Sequence, residues 1–261
     1  MPQKKSLILL LMNNLSHTIA ILAYNNHDLT LKNIRHLITL GYRNNILLFD
    51  NGSNPSYKMS AQKLEIRYQR EPENIFVNPA WNKLFEHENC AYLTLLNNDC
   101  FILSSNYFKD VLGHMQQNDI GITSCKTKNI VQLNKTLETD NFFFFHREHK
   151  QLKFIAKARR QGWLMTLSLH KYKQMDFQIP DYLKLWYGDD WIWGQFIQND
   201  AKYGVYNNRY AVHMRSTTLL SSNRLKSIID DDNVNLNKYG DWYKELSPKL
   251  HIKSKLFNRY I

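Results

Sequence analysis

Thr18-Ile19-Ala20-Ile21-Leu22-Ala23-Tyr24, closed by Asn25 and Asn26, decides the fold class. The run is short, almost wholly apolar and does not alternate. That pattern predicts a strand covered on both faces, as in a parallel sheet. Outward from it, Asp28 is placed to cap a helix. Its apolar positions Leu31, Ile34, Leu37 and Ile38 fall at helical spacing, and Gly41 stops it. Residues 46–49 predict a second buried strand, which runs into Asp50-Asn51-Gly52-Ser53. Further strands are expected at 64–68, 91–96 and 120–123, with helices at 78–88 and 104–117. Strands alternating with helices give an α/β fold, a mostly parallel sheet flanked by helices. In such sheets ligands bind beyond the carboxyl ends of the strands. Asn25, Asp50 and Asp99 each lie just past a strand's end, so the topology gathers three distant polar residues along one edge.

After Cys125 the pattern loosens. Residues 129–140 read as a polar loop and Phe142 to Phe145 as a core strand, with the basic stretch 150–160 behind them. A strand is expected at 163–169, and one or two at 203–212. Ile192, Trp193, Phe196 and Ile197 make a helical stripe behind Asp189-Asp190. Surface helices are expected at 219–232 and 237–246. The 261 residues thus divide into a first half (1–125), a second half of the same domain (126–218) and a small C-terminal helical extension (219–261).

Charge separates the halves. Residues 1–125 carry 11 basic and 10 acidic side chains; residues 126–261 carry 23 and 13. Such asymmetry points to an anionic partner of the second half. Cys90, Cys100 and Cys125 form no CxxC pair, and an odd count without metal spacing suits a reducing compartment. The apolar run at 7–12 falls far short of the ~20 residues of a membrane span, so a soluble, cytoplasmic protein is expected. His146 and His149 lack a third ligand and are set aside as a metal pair.

Four stretches, in order, carry a family resemblance: the strand ending at Tyr24-Asn25; Phe49-Asp50-Asn51-Gly52-Ser53; Asn78-Pro79-Ala80-Trp81-Asn82 followed by Leu96-Asn97-Asn98-Asp99; and Gly188-Asp189-Asp190 followed by His213-Met214-Arg215-Ser216-Thr217-Thr218. Over roughly 17–218 the chain resembles the family 2-like GT-A glycosyltransferases, especially their rhamnosyltransferase-like branch. The resemblance implies a Rossmann-like GT-A fold whose first half binds a nucleotide-sugar donor, UDP-linked above all. It implies that Asp50 contacts the donor's base or ribose and that Asn25, Asn82 and Asn98 line the donor pocket. Asp99 and His213 would hold a divalent cation, Mn2+ or Mg2+. One departure stands out: the family's Asp-x-Asp is here Asn97-Asn98-Asp99, with a single carboxylate.

The chemistry fits these residue types. A leaving pyrophosphate needs a hard cation on carboxylate oxygen. The acceptor hydroxyl needs a general base, and Asp190, with Asp189 beside it, sits where a helix N-terminus favours ionised carboxylate. By resemblance the transfer is a single inverting displacement. Trp163, Trp186, Trp191 and Trp193 are candidate stacking surfaces, Trp193 being better suited to the core. The basic second half favours a phosphate-bearing acceptor, hydroxymethylated DNA first, with a glycan or lipid-linked sugar as the alternative. A metal-dependent nuclease using Asp99, Asp189 and Asp190 is the rival class.

Overall fold

The computed structural model describes residues 16–130, 154–159, 162–214 and 223–245. The Phe142–Phe145 run, the His146/His149 pair, residues 150–153 and 160 of the basic stretch, and Arg215–Thr218 lie outside the described residues.

The opening run is strand β1 (His17–Ala23). It is followed by helix α1 (His27–Thr39), β2 (Ile46–Asn51), α2 (Lys58–Leu64), β3 (Arg67–Glu71) and α3 (Val77–His87). Then come β4 (Tyr92–Asn97), β5 (Cys100–Ile102), α4 (Tyr107–Asn118) and β6 (Ile120–Ile130). The second half supplies β7 (Phe154–Ala156), β8 (Leu164–Ser168), α5 (Leu169–Lys173), α6 (Gly188–Gln198), β9 (Lys202–Met214) and α7 (Asn223–Tyr239).

The strands form one sheet in the order β3-β2-β1-β4-β8-β6-β9-β5, with β7 also pairing β9. The half β3-β2-β1-β4 is wholly parallel. Strand β8 lies antiparallel between β4 and β6. β1 and β2 are buried almost throughout because helices cover both faces, which is why their sequences do not alternate. The pleat still sorts their side chains. Ile19, Ile21 and Leu48 pack on one face with Ile34, Leu37, Phe108 and Val111 of α1 and α4. Ala20, Leu47 and Phe49 pack on the other with Trp81, Leu84, Ile192 and Trp193 of α3 and α6.

Several local expectations shift. Asn26, in the left-handed region, precedes α1; Asp28 lies inside its first turn and is not the cap. Gly41, at φ 91°, ends α1 as expected: its N–H bonds Ile38 O and the Tyr42 N–H bonds Leu37 O. Leu64 ends α2, so the third strand begins three residues later, at Arg67. The two C-terminal helices are divided at Gly240, not before Asn237, and α7 is not a mere surface helix, since its Asp232 is fully buried. The cysteines are unbridged. Among the described residues no helix is long and apolar enough to cross a membrane.

A polar ladder crosses the parallel half. His17 Nε2 bonds Thr94 Oγ1 at 2.9 Å, which in turn bonds Thr166 Oγ1 at 2.8 Å. Burial lowers the His17 pKa from 6.5 to about 3. The imidazole is therefore neutral in the fold but charged in the unfolded chain below 6.5. Its contribution is fully present above that value and is lost as pH falls toward about 3, on the order of 5 kcal/mol in all. Melting temperature should fall along this acid limb, and His17→Gln, which cannot charge, should flatten it.

Candidate active site

Register brings the candidate residues to one edge. Ala23 pairs with Asp50 and Leu22 with Asn97, so β1, β2 and β4 end together. Because β8 runs antiparallel to β4, Leu96 pairs with Leu164 and the start of β8 reaches the same edge. Antiparallel pairing of β5 with β9 sets Cys100 opposite His213, which places His213 beside Asp99.

Asp50 organises the first part of this edge. Its side chain is fully buried, and the carboxylate accepts from the N–H groups of Ser53 (2.8 Å) and Tyr57 (3.1 Å), the Tyr68 hydroxyl (2.7 Å) and Arg70 (2.5 Å). Burial alone would raise its pKa; the Tyr68 hydroxyl and the two backbone N–H groups outweigh that and hold it below the usual carboxylate value. Asn25 closes the same turn. Its N–H donates to Ser53 Oγ (2.9 Å), its side-chain oxygen accepts the Asn54 N–H (3.0 Å), and its carbonyl accepts the Tyr57 hydroxyl. Gly52, at φ 77°, is required here, because a Cβ would overlap the Glu73 backbone. Of the groups around the buried carboxylate, the Arg70 side chain is about one-third exposed (32%).

The 97–100 turn hangs from α1. The buried Asn33 amide donates to the carbonyls of Asn97 (3.3 Å), Asn98 (3.1 Å) and Cys100 (3.0 Å). Asn98 donates to Thr30 Oγ1 at 2.9 Å. This leaves Asp99 at 6% exposure with its Oδ1 3.3 Å from His213 Nε2. The His213 ring stacks on Trp163, centroids 4.6 Å apart at 16°.

Residues 162–163 join this pair to the acidic helix. The Trp163 carbonyl accepts the Asn97 N–H (3.0 Å), and the Gly162 N–H donates to Asp189 Oδ2 (3.0 Å). Asp189 and Asp190 occupy the first turn of α6, as expected. Burial raises the Asp189 pKa, opposed by the Arg159 charge and the Gly162 N–H. Asp190 is ion-paired to Arg159, whose own pKa burial lowers.

Asn82 does not join the edge. Both ends of its amide bond the backbone of Ile179, at 2.8 Å each, which ties α3 to the chain around Ile179. Of the tryptophans, Trp193 is core and Trp191, 7% exposed, packs edge-on against Trp242. Trp163 and Trp186 remain as surfaces, the latter 41% exposed. Sequence reasoning missed Asn33, Tyr68, Arg70 and Arg159, which act through partners distant in sequence. Among the described residues no three His, Cys, Asp or Glu side chains cluster as a metal cage.

The chain superposes on a Pyrobaculum calidifontis mannosyltransferase, PcManGT, solved with GDP-Man and Mn2+, with TM-score 0.64 at 10% identity over 91% of this chain and 68% of that one. It also matches S. aureus TarS 1-349 (TM-score 0.54, 11% identity, 90% and 77% coverage). A third match is GalNAc-T7 with UDP, GalNAc and Mn2+ (TM-score 0.56, 12% identity), where the chain covers 88% of itself and half (50%) of that protein. No curated protein sequence matches the chain. At these identities the likeness shows the fold. Residues 18–175, more than half of the chain, match the profile of glycosyl transferase family 2, and the chain belongs to that family of glycosyltransferases.

Proposed function

We propose that the protein transfers a sugar from a nucleotide-sugar, UDP-linked, to the hydroxyl of an anionic acceptor by a single inverting displacement. The observation that carries this reading is the Asp99–His213 pair, one turn of chain from the acidic helix. Two ligand atoms on adjacent octahedral positions of a small divalent cation stand about 3.0 Å apart, given metal–ligand distances near 2.1 Å. The 3.3 Å between Asp99 Oδ1 and His213 Nε2 fits that spacing with little movement. An oxygen anion and an imidazole suit Mn2+ or Mg2+, and the donor's diphosphate would supply further oxygens. Mn2+ accompanies the nucleotides in PcManGT and GalNAc-T7. When bound, such a cation neutralises the leaving diphosphate.

This chain's residues do the rest. The Asp50-organised turn, with Asn25 and Arg70, forms the wall for base and ribose; Arg70 moves aside where the base meets Asp50. Asn98 closes the pocket beside Asp99. The buried nitrogens Trp163 Nε1 and His213 Nδ1, without a protein hydrogen bond among the described residues, are donors for phosphate oxygen. Asp190 takes the acceptor proton. Its pairing with Arg159 holds it idle until an acceptor draws the guanidinium away, and an anionic acceptor does so best. Asp189 anchors the 162–163 turn.

Hydroxymethylated DNA is the favoured acceptor, on the charge of the second half and on Arg159 beside the base. The test incubates the protein with Mn2+ and labelled UDP- or GDP-sugars, offering hydroxymethylcytosine DNA or neutral oligosaccharides. Label in the DNA supports the reading. Label only in the oligosaccharides overturns the acceptor, and no transfer from any donor overturns the proposal.

A further inference from the structure

The acidic pair is delivered by the strap 184–187, and that strap is held from the far end of the chain. Asp232 of α7 is fully buried. Its carboxylate accepts three consecutive backbone N–H groups: Lys184 at 2.8 Å, Leu185 at 2.7 Å and Trp186 at 2.8 Å. A fully buried carboxylate is costly unless charge-assisted hydrogen bonds surround it, and successive N–H groups make a fitting anion nest. The neighbouring Asn233 accepts the Tyr187 hydroxyl at 2.5 Å. From the opposite side, the buried Asn78 of α3 donates to the Trp186 carbonyl (2.8 Å), and its N–H to the Lys184 carbonyl (3.0 Å). The strap then turns through Tyr187, at φ 63°, into Gly188-Asp189-Asp190. Glycine is needed at 188, because a Cβ there would overlap the Asn78 side-chain oxygen.

We infer that Asp232 is a positioning residue for transfer: through its three N–H bonds, the C-terminal helix fixes the carboxylates of the acidic pair and holds Trp186 outward as the surface on which the acceptor's ring lies. The inference rests on the assignment of Asp190 as base. The geometry favours it over a purely structural clamp in one respect. The bonds end on Trp186, three residues before Asp189, so the clamp acts on the very stretch of chain that enters the acidic pair and leaves the Trp186 indole exposed beside it.

The experiment compares the full-length wild type with Asp232→Asn, of nearly the same shape but without the charge. Tyr187→Phe, which loses only its bond to Asn233, serves as a second variant should the first fold poorly. Amide exchange over 184–190 is followed by mass spectrometry. Release of UDP from UDP-glucose, or GDP from GDP-mannose, is followed with Mn2+ and hydroxymethylcytosine DNA as the acceptor. Asp232→Asn should speed exchange of the strap by about tenfold or more. It should lower kcat by a similar factor with KM for the nucleotide sugar nearly unchanged. Tyr187→Phe should do the same more weakly. Unchanged strap exchange, or faster exchange with wild-type kcat, overturns the inference. A wild type that releases no nucleotide counts against Asp190 as base; the exchange comparison then decides alone whether Asp232 sets the strap.

Discussion

Asp190→Asn should lower kcat by about 100- to 10,000-fold, the range a positioned general base contributes. The substitution keeps the shape of the side chain and one acceptor for Arg159, so the fold survives with a loss of about 1–3 kcal/mol from the weakened buried pair. The proposed nucleotide site lies on other strands and should be untouched, so KM for the donor is expected to stay near the wild-type value. Asp189→Asn separates the two carboxylates. Its Oδ2 serves the Gly162 N–H, a contact asparagine can keep, so its effect on kcat should be the smaller. Equal losses at both positions would show that the pair acts as a unit and that the assignment to Asp190 is wrong. Initial rates of nucleotide release, with circular dichroism as the folding control, make the comparison.

Asp50→Ala should be the most destabilising change on the donor side, by about 3–5 kcal/mol. It strips four donors of their acceptor at once: two N–H groups, the Tyr68 hydroxyl and the Arg70 guanidinium. It should also abolish nucleotide binding, because the turn that carries Gly52, Ser53 and Tyr57 loses its hub. The pH dependence has a definite sign. A carboxyl held below its usual value stabilises the fold above 3.8, and the contribution disappears as acid protonates it. Urea titrations of wild type and variant at pH 7 and at about pH 3, below the ordinary value of 3.8, should therefore show a gap that narrows at the lower pH.

The parallel half of the fold was legible because central strands buried on both faces must be written as unbroken apolar runs, and β1 and β2 are. β3 was misplaced because it lies at the sheet's edge, partly exposed, where hydrophobic pattern is weak. The same logic divides the site. Asp50, Asp99 and the acidic pair sit next to strand or helix ends, so their neighbourhood follows from topology. Asn82 was a candidate by family resemblance alone, inside a helix, and its amide answers the backbone of Ile179, 97 positions away. Asn33, Arg70 and Asp232 carry no local mark for the same reason. Each acts on a turn that the fold, and not the sequence around it, brings near.

Asp99 and His213 together are proposed to hold the cation that binds the donor's diphosphate. Its most direct measurement is the melting temperature of wild type, Asp99→Asn and His213→Ala with UDP or GDP, with and without Mn2+. A ligand at about a hundredfold over its Kd adds about 2.7 kcal/mol, on the order of 5–10 °C for a chain of this size. That rise is expected in the wild type only when nucleotide and Mn2+ are both present, and is expected to be lost in both variants. Variants that respond like the wild type, or a wild type indifferent to every nucleotide, would contradict it.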